Sequence, residues 1–168
     1  MKIFVGHEIG KIISRNHKYR DEFVIIGAHF DHLGFGGPGS GSLKPDTNAV
    51  HNGANDNASG TAGLLELAHK LQTNRKLLKR SILFIAFDAE EKGLLGSKYF
   101  VQNPTINIKN VSAMINMDMI GKMRDSTVII GGVGTSPVFE PILDSLSIDT
   151  GLKFEYCLLY TSPSPRDS

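Results

Sequence analysis

The chain carries one cysteine, Cys157, among 168 residues. A single thiol excludes an intramolecular disulfide framework and a thiolate zinc cluster, so any metal must be held by histidine and carboxylate. No apolar run reaches the roughly 18 residues that a membrane-spanning helix needs, so the chain has no such segment. The N-terminus lacks an apolar signal core followed by a cleavage site. An excess of one charge is missing too: 18 Lys+Arg against 17 Asp+Glu leave a net +1. Nothing in that balance points to nucleic acid or an anionic membrane. The glycine-rich stretch 34–42 lacks the Gly-Lys-Ser/Thr ending of a phosphate loop, which removes the nucleotide reading and leaves a flexible surface loop. Histidine runs out early, the last being His69.

What is present fits one globular domain. Apolar residues make up 40% and charged residues 21%, an ordinary balance for a chain long enough to bury a core. Residues 22–28 form a continuous β-branched run, the pattern of a strand buried on both faces of a parallel sheet. Residues 81–87 and 112–121 read the same way, and 127–131 is another short strand. Ile3 to Val5 and Ile9 to Ile13 are candidate short strands. Helical spacing puts Leu64, Leu65, Leu67, Ala68 and Leu71 on one face. A second helix runs through Leu94, Leu95, Tyr99 and Phe100 and ends by Pro104. Ser136-Pro137 opens a third, with Phe139, Ile142, Leu143 and Leu146 on its apolar face. From Cys157 to Ser168 there is no periodicity and the composition turns to Ser and Pro. That segment reads as a non-native or disordered tail and is set aside from the fold. The expectation is a catalytic domain over 1–156, incomplete at both ends.

Potential metal ligands stand where the apolar runs end, the place where open α/β sheets bind ligands. His29 and Asp31 are two apart, so on an extended segment they point to one side, and a carboxylate there can orient the imidazole. His32 points the other way in this reading and takes no role. Asp56 sits among small residues before a helix. It is either a helix cap or, if Asn57 or Ser59 caps instead, free for other work. Glu90 and Glu91 either favour a helix N-terminus or divide the work, one ligating a metal and the other held near a metal-bound water. Asp118 interrupts an apolar run, where an unpaired carboxylate is costly, so it needs a partner or a metal.

Four motifs stand in order: Gly27-Ala28-His29-Phe30-Asp31, the stretch from Asn52 to Gly60, that from Glu90 to Ser97, and that from Asn116 to Gly121. Together they resemble the di-zinc aminopeptidase family that also contains glutamate carboxypeptidase II, glutaminyl cyclase and the transferrin receptor ectodomain. The resemblance implies a three-layer α/β fold, phosphorylase/hydrolase-like, with a mostly parallel central sheet flanked by helices. It implies two Zn2+ per complete site and a peptide substrate cut at its N-terminal residue by a bridging hydroxide. By the same resemblance, His29 and Asp118 ligate one zinc, Asp56 bridges both and Glu91 ligates the other. Glu90 is then the general base and Asp31 the acid that steers His29. The family uses a further histidine downstream of the Asp118 motif; no histidine stands there in this chain, and truncation is the reading given to that departure. Cobalt or manganese would suit the same ligands. A cyclase or carboxypeptidase relative, or a binding ectodomain on the same fold, are the alternatives. Retention of His29, Asp56, Glu90, Glu91 and Asp118 speaks against the ectodomain. Relatives are frequently secreted, periplasmic or membrane-anchored.

Overall fold

The protein is described by a computed structural model covering residues 6–158. The residues form two compact units, one ending at Gly121 and one starting at Lys122.

The first unit is built on β1 (His7–Ile12), β2 (Phe23–His29), α1 (Gly60–Thr73), β3 (Ser81–Phe87), α2 (Leu95–Gln102) and β4 (Val111–Asn116). The strands form one sheet in the order β1-β3-β2-β4. β2 pairs in parallel with both β3 and β4, while β1 runs antiparallel to β3. This is the mostly parallel α/β sheet that the apolar runs predict. Alternate residues of β2 and β3 face opposite layers, as the pleat requires. Ile26, Ala28, Ile82 and Phe84 pack with Leu64 and with Leu67, Ala68 and Leu71 of α1. Ile25, Leu83, Ile85 and Phe87 pack with Phe100 of α2. Helices therefore cover both faces. Leu83 and Ile85 are wholly buried, and each such side chain contributes about 1.5–3 kcal/mol.

Two strand expectations change. β4 ends at Asn116, so Asp118 lies in the loop beyond the strand rather than in it. β4 is also not buried: Met114 is 47% and Ile115 54% exposed, because it is an edge strand of this sheet. Its apolar run looks like that of a central strand, and sequence periodicity cannot tell the two apart. The Ile3–Val5 candidate lies outside the described residues.

The second unit contains β5 (Thr127–Gly131), α3 (Phe139–Ser147) and β6 (Lys153–Cys157). β5 and β6 pair in parallel, with α3 lying between them in sequence. Cys157 closes β6, and residues 159–168 of the expected tail lie outside the described residues.

Candidate metal centre

The candidate residues of the first unit meet at the carboxyl ends of β2, β3 and β4. His29 is the last residue of β2 and is only 3% exposed. The loop after β2 brings in Asp31 and His32. The loop after β3 holds Glu90 and Glu91, which stand before α2 and outside it, since that helix begins at Leu95. The helix-dipole explanation for the two glutamates therefore falls away. Asp118 comes from the loop after β4, and Asp56 from an irregular helical turn, Ala54–Ser59, that leads into α1.

Two groups of side chains result. His29 Nε2 is 3.2 Å from Asp56 Oδ1 and 3.5 Å from Asp118 Oδ1. His32 Nδ1 is 2.9 Å from Glu91 Oε1 and 3.9 Å from Asp56 Oδ2. Within each group the donor atoms all lie within 4.8 Å of one another. Asp56 belongs to both and turns one carboxylate oxygen toward each. His32 is thus part of the cluster, contrary to the sequence reading. That reading continued strand alternation past His29, but β2 ends there and the chain turns. The signal that points to it is the His-x-x-His spacing at a strand end.

Asp31 organises the centre from behind. Its Oδ1 accepts the backbone N–H of Glu90 at 2.9 Å and its Oδ2 that of Glu91 at 3.2 Å. On the other side, His29 Nδ1 lies 3.1 Å from the Asp31 carbonyl oxygen and 3.5 Å from Oδ1. With Nδ1 so engaged, Nε2 is the nitrogen left to face Asp56 and Asp118.

Asn57 fixes the next pair. It is 1% exposed. Its Nδ2 donates to Met117 O at 3.0 Å, and its Oδ1 accepts from Gly60 N at 3.0 Å and Met119 N at 3.2 Å. One amide thereby caps the start of α1 and holds the loop that carries Asp118. The capping expected of Asn57 or Ser59 falls to Asn57, which leaves the Asp56 carboxylate free. The Asp56–Asn57 peptide bond is cis.

The electrostatics fit a cation. Burial opposes charge on His29, but Asp118, Asp31 and Asp56 outweigh it and push its pKa up to about 12. Three carboxylates on one imidazole make a strongly anionic donor set. Asp118 Oδ1 is buried and makes no hydrogen bond beyond its 3.5 Å approach to the His29 ring, and a buried carboxylate oxygen so weakly answered is one that a bound cation would stabilise. A tetrahedral zinc with ligands at about 2.0–2.2 Å sets neighbouring donor atoms roughly 3.3–3.6 Å apart. The 3.2 and 3.5 Å separations around His29 Nε2 are close to that spacing. The donor chemistry, imidazole plus carboxylate, suits zinc as well. Glu90 is held above the usual carboxylate range, first by burial and then by Glu91, Asp118 and Asp31, against the opposing pull of His29. Glu91 is raised likewise, by burial and then by Asp56.

Comparison with known proteins is consistent with this geometry. The model of peptidase family M28 matches residues 9–160. A probable zinc metalloprotease of Phaeosphaeria nodorum is 34% identical over 114 residues, 64% of this chain and 23% of that protein. Aminopeptidase YwaD of Bacillus subtilis is 36% identical over 126 residues, 72% of this chain and 24% of that protein. The crystal structure of LapB from Legionella pneumophila superposes with a TM-score of 0.61 at 26% identity, covering 90% of this chain and 42% of that one. The chain therefore spans about a quarter of the length of these curated relatives.

Proposed function

The chain belongs to peptidase family M28, and from that premise we propose that it carries the metal centre of a zinc exopeptidase that removes N-terminal residues from peptides. The observation that carries the reading is the sharing of Asp56 between two histidine–carboxylate groups, with Glu90 beside them. The relatives named as a zinc metalloprotease and an aminopeptidase support zinc and N-terminal cleavage.

In this reading His29, Asp118 and Asp56 would hold one ion, and Asp56 and Glu91 would contribute to holding a second. Bound zinc supplies a Lewis acid for the scissile carbonyl and lowers the pKa of the attacking water. Glu90 would serve as the base that accepts a proton from the attacking water and returns it to the leaving amine. Asp31 holds the Glu90–Glu91 backbone while aligning His29, so base and ligands keep one geometry.

Glu90→Gln tests the role of the base. It removes a titrating group and keeps the shape, so zinc binding is expected to persist while kcat on amino-acid p-nitroanilides falls by roughly 10²–10⁴. Equal rates for variant and wild type would remove Glu90 from the chemistry.

A further inference from the structure

The near-neutral total charge conceals an asymmetry that the fold assembles. Residues 13–22 and 75–80 carry seven of the chain's 18 Lys+Arg but only two of its 17 Asp+Glu. The remainder is acidic, with 11 Lys+Arg against 15 Asp+Glu. The two stretches lead into the amino ends of β2 and β3, and two buried serines tie them together. Ser14 Oγ donates to the carbonyl oxygens of Leu78 at 2.7 Å and Lys79 at 2.9 Å. Ser81 Oγ donates to Arg20 O at 2.5 Å and accepts from Ser14 N at 3.0 Å. Arg75 Nε donates to Ile13 O at 2.7 Å. We infer that this basic face docks the protein on an anionic phospholipid membrane, with Leu77 entering the headgroup layer. The inference does not depend on the metal-centre reading.

Three observations carry it. The first is unanswered charge. Among the described residues, Arg15, Lys18, Arg20, Arg75, Lys76 and Lys79 form no ion pair; Arg80 alone of this group does, with Glu22 at 2.7 Å. A face that serves only solubility interleaves both signs. Cations left without carboxylates each strengthen binding to an anionic bilayer about fivefold. The second observation is Leu77. It closes a tight turn, Arg75–Leu77, pinned by Leu77 N to Asn74 O at 2.9 Å and by Leu78 N to Arg75 O at 3.2 Å. Its side chain is 79% exposed. One exposed leucine is ordinary, but a leucine set between Lys76 and Lys79 joins an apolar tip to a basic flank, which a lipid interface rewards on both counts. A nucleic-acid backbone would reward only the cations. The third is position. The basic turns precede β2 and β3, whereas His29 ends β2 and Glu90 and Glu91 follow β3. A seven-residue strand spans about 20 Å. Docking through the turns leaves the candidate metal ligands at the end remote from the lipid, open to peptides in solution.

The competing accounts are a soluble polyanionic partner and a face that is merely solvated. Vesicle co-sedimentation of the 168-residue chain separates them, with phosphatidylcholine alone and with about 30% phosphatidylserine added. Binding is expected to the anionic vesicles only. It should weaken at least tenfold between roughly 0.05 and 0.5 M salt, as screening shortens the reach of the cations. Lys76→Glu combined with Lys79→Glu is expected to weaken it by about 25-fold or more, the loss of two such cations. The chain has no tryptophan, so Leu77→Trp places a single reporter at the turn. Its emission is expected to shift to the blue on anionic vesicles, where indole enters the interface, and to stay unshifted with heparin. Phe35→Trp, at a position 74% exposed beyond the carboxyl end of β2, is expected to stay unshifted on both. No binding to anionic vesicles at low salt would overturn the inference. So would unchanged vesicle affinity in the double Lys→Glu variant. Vesicle binding without a blue shift in Leu77→Trp would also overturn it, and is the result that a polyanion site without a lipid preference gives.

Discussion

At the scale of single residues, Asp31 has the most to hold. One carboxylate accepts two backbone N–H groups and faces His29. Burial works against its charge, yet His29 and the N–H groups of Glu90 and Glu91 hold its pKa below the usual carboxylate range. A depressed folded-state pKa means stability that is present above the unfolded value and lost as pH falls through the folded one. Asp31→Asn is therefore expected to cost the metal-free chain about 1.5–3 kcal/mol at neutral pH, the range for hydrogen bonds to a charged group. The difference from wild type should begin to shrink as pH falls below about 4, the ordinary aspartate pKa, and close only below the depressed folded value. Urea melts at stepped pH measure it; a gap that stays constant to pH 3 would show that Asp31 acts without its charge. His29, Asp31, Asp56, Glu90, Glu91 and Asp118 were all legible as candidates, because each stands at the end of an apolar run or in a cluster of small residues. His32 was not, since strand alternation has no meaning once the chain leaves the strand.

At the scale of elements, the centre depends on how the loops are tied together. Asn57 joins the start of α1 to the Met117–Met119 loop through three hydrogen bonds. Gly60 makes the approach possible, because a Cβ there would collide with Asn57 Oδ1 and Met117 O. Asn57→Ala leaves buried backbone groups without partners, at about 1–3 kcal/mol for each group left unsatisfied. It should also loosen Asp118 and so weaken zinc binding about His29, seen as a lower unfolding midpoint together with a higher zinc Kd. A fall in stability with unchanged zinc affinity would confine Asn57 to capping. The sequence marks Asn57 only as a candidate cap. Its tie to a loop 60 residues away depends on parallel strand order, which local spacing does not encode. The edge position of β4 was hidden for the same reason: strand order decides which apolar run is central, and periodicity is blind to order.

At the scale of the molecule, the sequence revealed the first unit well. Runs at 22–28 and 81–87 became β2 and β3, and α1 and α2 fall close to where the spacing of their apolar residues predicts. The separation at Gly121 and Lys122 did not show, because no change of composition marks it. The candidate metal ligands lie wholly within the first unit. Binding energy for an ion held by several loops of that unit is also folding energy. Zinc at a hundred times its Kd is thus expected to stabilise the chain by about 2.7 kcal/mol per site, and a chelator to reverse it.

The most direct measurement is the zinc content of the purified 168-residue chain by elemental analysis, after equilibration with excess zinc and removal of the free ion. A centre in which Asp56 is shared between two groups of candidate ligands predicts close to two equivalents per folded chain. A folded chain that retains none would contradict the metal centre itself.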